Sequence, residues 1–155
     1  FDTTEGMDEF LIECHNSVVK PGDIVYHGGD FGFGKEDYLK GILERLNGKH
    51  FISLGNHDKK KAKMLNIGFA YAEKSYADIT PDGYHFHLSH YPPKNVWLPQ
   101  SSTVYLFGHV HSKFEGSENV PNSQNIGVDV TDYYPVNMRW IKDRIRNRLN
   151  DKQKH

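Results

Sequence analysis

The chain of 155 residues is 37% hydrophobic and 25% charged with a formal net charge of −1, a composition that excludes wholesale disorder and suffices for one domain with a buried core. The near-neutral charge argues against broad nucleic-acid or membrane-surface binding, which draws on a basic excess. Cys14 is the single cysteine, so an intrachain disulfide is excluded and a cytoplasmic setting is expected. With no apolar run near the ~20 residues of a bilayer span and no leader pattern at the start, no membrane association is expected.

Helix-like and strand-like segments alternate along the chain. Residues 3–19 place Met7, Phe10, Leu11, Cys14 and Val18 at helical spacing, with Thr3 or Thr4 as cap. Cys14 on that apolar face reads as a small buried hydrophobe. Pro21-Gly22-Asp23 breaks the helix, and Ile24-Val25-Tyr26 reads as a short buried strand that runs into the turn Gly28-Gly29-Asp30-Phe31-Gly32. A second helix is predicted over 35–47, with Tyr38, Leu39, Ile42, Leu43 and Leu46 on one face and Gly48 closing it at C′. His50–Leu54 then forms a strand leading into Gly55-Asn56-His57-Asp58, and Lys59–Leu65 a short basic helix.

From Tyr84 to His90, apolar Tyr84, Phe86 and Leu88 alternate with His85, His87 and Ser89, the period of a half-buried strand. Val104–Phe107 is a buried strand feeding Gly108-His109-Val110-His111, and Asn125–Val130 is predicted as the last strand. A final helix from about Asn137 turns Trp140 or Ile141, Ile145 and Leu149 inward. Lys142, Arg144, Arg146, Arg148 and Lys152 are read as its solvated outward face, without a function.

Four of these strand ends carry metal-ligand residue types. A carboxylate can bridge two divalent cations, and Asp30 sits at a glycine-permitted turn suited to that task. Asp23 competes, but it begins its strand, whereas ligands in such sheets gather at carboxyl ends. Asn56 offers an amide oxygen, while His90, His109 and His111 offer imidazole nitrogens suited to zinc, iron, manganese, nickel or cobalt. His15, His27, His50, His85, His87 and His155 are read as structural or surface residues. His57, beside Asn56, is the candidate general acid, and Asp58 is placed to orient its ring. Bound metals would lower the pKa of a bridging water from about 15.7 toward about 7 and clamp a phosphate for in-line attack.

In this order the segments resemble the calcineurin-like metallophosphoesterases, whose pattern is Asp-x-His, Gly-Asp, Gly-Asn-His-Asp/Glu, an isolated His and Gly-His-x-His. The match runs from Gly29 to His111, and a similarity to the closing strand and turn of short bacterial and phage-type members continues through Asn125–Pro135. The resemblance implies an α/β chain (α+β by some schemes), folded as a four-layer α-β-β-α sandwich over the single domain 1–155. It implies that Asp30 bridges two metals, that Asn56, His90 and His109 complete one, that His111 belongs to the other, and that His57 is the catalytic histidine.

The Asp-x-His segment is absent from this sequence, so the domain is expected to be N-terminally incomplete, with one full metal site and a second reduced to Asp30 and His111. The strand edge so exposed is expected to favour self-association. The expected function is hydrolysis of a small phosphomonoester or phosphodiester by a metal-activated hydroxide, without membrane or nucleic-acid partners. The alternatives are a catalytically impaired binding module on the same fold, or a nuclease or protein phosphatase.

Overall fold

A computed structural model describes residues 1–80, 83–94, 103–113, 115–117 and 120–152. Helix α1 spans Thr4–Val18, and Thr3 caps it by accepting the Gly6 amide at 3.0 Å, a contact of the kind that contributes about 1 kcal/mol. Ile12, Cys14 and His15 form its buried side. β1 (Ile24–His27), α2 (Glu36–Arg45), β2 (Lys49–Ser53), α3 (Lys61–Ile67) and β3 (Tyr71–Glu73) follow. The strands make a parallel sheet in the order β1-β2-β3, so β1 is an edge and pairs with β2 alone among the described residues.

Alternation divides this sheet's residues between two faces. Ile52 and Ala72 join Leu39 and Leu43 of α2 and Met64 and Ile67 of α3 in one core cluster with Phe69. Leu39 and Leu43 stand four apart and so present one helix face, and each large apolar side chain buried there contributes roughly 1.5–3 kcal/mol. On the opposite face Tyr26, Phe51 and Tyr71 lie in register across the strands.

That aromatic row meets the second sheet. β4 (Ser75–Ile79), β5 (His85–Ser89), β6 (Val104–Phe107) and β7 (Ser123–Asn125) form it in that order, with β4 antiparallel to β5 and the remaining pairs parallel. Tyr26 lies 5.1 Å from Tyr76 and 5.0 Å from Phe86 between ring centroids, and Tyr71 lies 4.9 Å from Tyr76. Such pairs add about 0.5–1.5 kcal/mol beyond burial. Phe86, Leu88, Val104 and Leu106 close a second cluster with Ile141 and Ile145 of the last helix, α4 (Met138–Lys152). The chain is therefore of the α/β class, with one parallel and one mixed sheet.

Several sequence expectations need correction. α2 ends at Arg45 with Leu46 as its cap, so Gly48 is no C′ residue and lies instead at the entry to β2, where a Cβ would come within 2.9 Å of Val25 Cγ2. The basic helix begins at Lys61, two residues after Lys59, and runs through Ile67. The expected strand 125–130 is displaced: β7 ends at Asn125, and Val128–Val130 is a 3-10 turn. β3 and β4 were not foreseen, because Tyr71–Glu73 is too short to show a period.

The cationic face of α4 also differs from expectation. Arg144 bonds Glu115, and Arg148 donates to Gln124 Oε1 at 2.9 Å and to the carbonyls of Pro121 and Ser123. Positions 141, 144, 145 and 148 share one helical face, so both arginines point the same way as Ile141 and Ile145 and fasten the segment before β7. Lys142 lies over the Tyr84 ring and Arg146 pairs with Asp143. The Lys152 side chain and His155 lie outside the described residues. No described helix is long and apolar enough to cross a membrane.

Candidate metal centre

Each candidate ligand follows the carboxyl end of a strand. Asp30 lies beyond β1, Asn56 beyond β2, His90 directly after β5 and His109 two residues after β6. β1 and β2 are parallel, as are β5 and β6, so each pair delivers its ligands to one end. The Gly108 amide donates to the His90 carbonyl at 3.0 Å and holds the β5 and β6 ends together.

His90 is the centre of the cluster and is 2% exposed. Its Nδ1–H donates to the Gly28 carbonyl at 2.8 Å, which leaves Nε2 unprotonated in the neutral ring. Around that lone pair stand Asn56 Oδ1 at 3.0 Å, His109 Nδ1 at 3.1 Å and Asp30 Oδ2 at 3.3 Å. One proton on His109 can satisfy one of these approaches, but no donor lies between His90 Nε2 and the two oxygens. A cation satisfies all four groups at once. Ligand atoms of Asp30, His90 and His109 all lie within 4.8 Å of one another, and their mixed oxygen and nitrogen chemistry fits a divalent transition metal.

The backbone is bent to achieve this. Asp30 has φ 55° and His109 φ 66°, left-handed conformations that cost of order 1–3 kcal/mol each in residues other than glycine. At Asp30 the compensation is visible. The Asp58 carboxylate accepts from the amides of Asp30 at 2.8 Å, Phe31 at 2.9 Å and Gly55 at 2.7 Å, which ties the β1 and β2 loops to each other. Asp58 is therefore a loop-fastening residue, and these bonds replace its expected role as orienter of the His57 ring. The close approach also requires glycine twice. A Cβ on Gly29, at φ 93°, would fall 2.5 Å from His90 Nδ1, and one on Gly55 would overlap Asp30 Oδ1.

His57 donates its backbone amide to Asp30 Oδ1 at 2.8 Å, and its ring packs against Phe33 at 5.1 Å. It adjoins the ligands and is absent from the converging set. His111 likewise stands outside that set, as expected of a residue assigned to a different ion. Its ring is exposed, and Nδ1 pairs with Asp129 Oδ2 at 3.3 Å, while Asn125 Nδ2 donates to its carbonyl at 2.6 Å. Asp129 was missed because its segment read as a strand.

The histidines read as structural fall into two groups. His85 is exposed and His87 half-buried on β5. His27 and His50 form a chain of donations, His27 Nε2–H to His50 Nδ1 at 2.9 Å and His50 Nε2–H to the Leu46 carbonyl at 3.3 Å, while His15, whose ring lies 5.6 Å from that of His50, donates separately from Nε2–H to the Asn47 carbonyl at 2.8 Å. Although the residue keeps some exposed surface, the His27 ring is enclosed by Phe31, Phe69 and His50. Burial, with smaller repulsion from His50 and His15, pushes its pKa down to about 3. Burial likewise lowers His15 and His50.

No protein-family model matches the chain. It is 32% identical to the uncharacterized protein MJ1445 of Methanocaldococcus jannaschii, in an alignment covering 97% of this chain and 85% of that protein. The crystal structure of AQ665, a protein of unknown function from Aquifex aeolicus, is similar at a TM-score of 0.69 and 26% identity, covering 91% of this chain and 86% of that one. Neither name carries an activity, and a functional reading rests on the side chains themselves.

Proposed function

This chain belongs to the family of the Methanocaldococcus jannaschii protein, and from the arrangement of its own side chains we propose that it is a calcineurin-like, metal-dependent phosphoesterase acting on small phosphomonoesters or phosphodiesters. The observation that carries the reading is the convergence of Asn56 Oδ1, His109 Nδ1 and Asp30 Oδ2 on the unprotonated Nε2 of His90. His90 is the buried member of the four, while Asp30 is part-buried and Asn56 and His109 are exposed; the Nε2 of His90, with no proton of its own in this tautomer, faces two oxygen acceptors that a cation between them would satisfy. The two sheets with their helices are read as the four-layer sandwich of that family.

Asp30, Asn56, His90 and His109 would hold one divalent ion, of manganese, iron, nickel or zinc, and Asp30 with His111 a second. Bound there, the ions supply acidification of water and neutralisation of phosphoryl charge. The chain's own residues do the rest. Gly28 fixes the His90 tautomer, and Asp129 would hold the His111 ring by Nδ1 and leave Nε2 as its ligand atom. Asp58 keeps the Asp30 and Asn56 loops at one spacing. His57, anchored by its amide to Asp30, donates a proton to the leaving-group oxygen, a contribution typically of 10²–10⁴-fold.

The test is an ester panel, including cyclic nucleotides, assayed with chelator-stripped protein before and after addition of manganese, nickel or zinc. Hydrolysis that appears only on adding metal is expected. Metal-loaded protein inert toward every ester would favour a binding module on this fold, and hydrolysis indifferent to chelation would refute the metal reading.

A further inference from the structure

Phe33 and Tyr91 are exposed aromatic rings that touch the candidate site. Phe33 is 73% exposed and Tyr91 51% exposed. Their situations differ. The Tyr91 ring stands edge-on to both ligand imidazoles, 4.9 Å from His90 and 4.7 Å from His109, and is committed to them. Phe33 lies in the irregular segment between β1 and α2, and among the described residues its ring packs against that of His57, at 5.1 Å and an interplanar angle of 53°. Keeping a phenylalanine in water forfeits roughly 1.5–3 kcal/mol of burial.

A general acid faces the oxygen of the departing group, so whatever that oxygen carries lies beside His57 and within reach of the ring packed against it. We propose that Phe33 selects phosphate esters whose organic group bears a flat aromatic ring, which stacks on its exposed face. This rests on the phosphoesterase reading. Offset stacking of two rings contributes beyond area alone, and a stacked base is typically worth about 1–3 kcal/mol, so the preference should be about tenfold or more.

The experiment measures equilibrium binding of matched monoesters, each presented as its non-hydrolysable phosphonate isostere, to the manganese-loaded chain by titration calorimetry: phenyl against cyclohexyl phosphate, and adenosine 5′-monophosphate against ribose 5-phosphate, with inorganic phosphate as reference. The aromatic member of at least one pair should bind about tenfold more tightly, and which pair responds identifies the ring as aryl or nucleoside. Phe33→Ala should erase that margin while leaving cyclohexyl phosphate, ribose 5-phosphate and phosphate unchanged, and Phe33→Trp should restore it. Equal binding within both pairs, or a Phe33→Ala loss spread evenly over all ligands, would overturn the proposal while the phosphoesterase reading stands. Failure of every ligand, inorganic phosphate included, would remove that reading and this proposal with it.

Discussion

Nε2 of His90 and Nδ1 of His109 stand 3.1 Å apart across 19 positions of sequence. The His90 ring donates its Nδ1 proton to Gly28, so a proton on His109 would satisfy this one contact, whereas a cation would also serve Asn56 Oδ1 and Asp30 Oδ2 around the same Nε2.

Metal content follows from that pair. His90→Ala or His109→Ala should lower bound metal by at least the roughly 10–100-fold that loss of an outer-shell partner costs. His111→Ala should spare this ion, since His111 lies with Asp129 instead. Elemental analysis of the dialysed variants checks both statements, and unchanged occupancy in His90→Ala would remove the centre.

His57→Ala should keep its metal and lose activity by roughly 10²–10⁴-fold. The loss should shrink for nitrophenyl esters, whose leaving groups depart without a proton. Equal impairment on good and poor leaving groups would make His57 a positioning group.

Asp58→Ala should behave differently from His57→Ala, because it strips three amides of their acceptor. An unmade bond to a buried donor costs about 1–3 kcal/mol, and these donors are part-buried, so a total loss of about 2–4 kcal/mol is expected in denaturant unfolding. Metal affinity should fall in parallel as the Asp30 turn relaxes. Asp58→Asn, with one accepting oxygen, should lie between. A fully stable, fully metallated Asp58→Ala would contradict the loop-fastening role.

The histidine chain predicts acid lability. His15, His27 and His50 have folded-state pKa values below 6.5, with His27 at about 3, so between those limits the unfolded chain binds more protons than the folded one. Stability is therefore fully present above pH 6.5 and falls as pH drops, for His27 by up to about 1.4 kcal/mol per pH unit toward pH 3, with His15 and His50 acting in the same direction. Replacing His27 by Gln should flatten the slope measured by urea unfolding across that range. A slope identical to that of the unsubstituted chain would show that His27 does not control it.

The three long helices were readable because their apolar residues recur within one or two turns, and such periods depend on near neighbours alone. Leu39 with Leu43 and Ile141 with Ile145 fell inward as expected. The ligand residue types were readable too, since each follows a recognisable strand. What the tertiary structure decided was partnership. The resemblance already put His109 with His90 and His111 apart from them, but nothing in the sequence shows that His111 turns to Asp129, nor that Asp58 faces backbone amides and not its neighbour's ring. β3 and β4 were invisible because three to five residues of mixed polarity acquire a face only when β2 and β5 lie beside them. Arg148 likewise reads as a solvent residue until Gln124 and the Ser123 carbonyl are brought under it. Local periodicity is a property of the chain, whereas the pairing of donors with acceptors many residues apart exists only after the two sheets have closed on the row Tyr26, Phe51 and Tyr71.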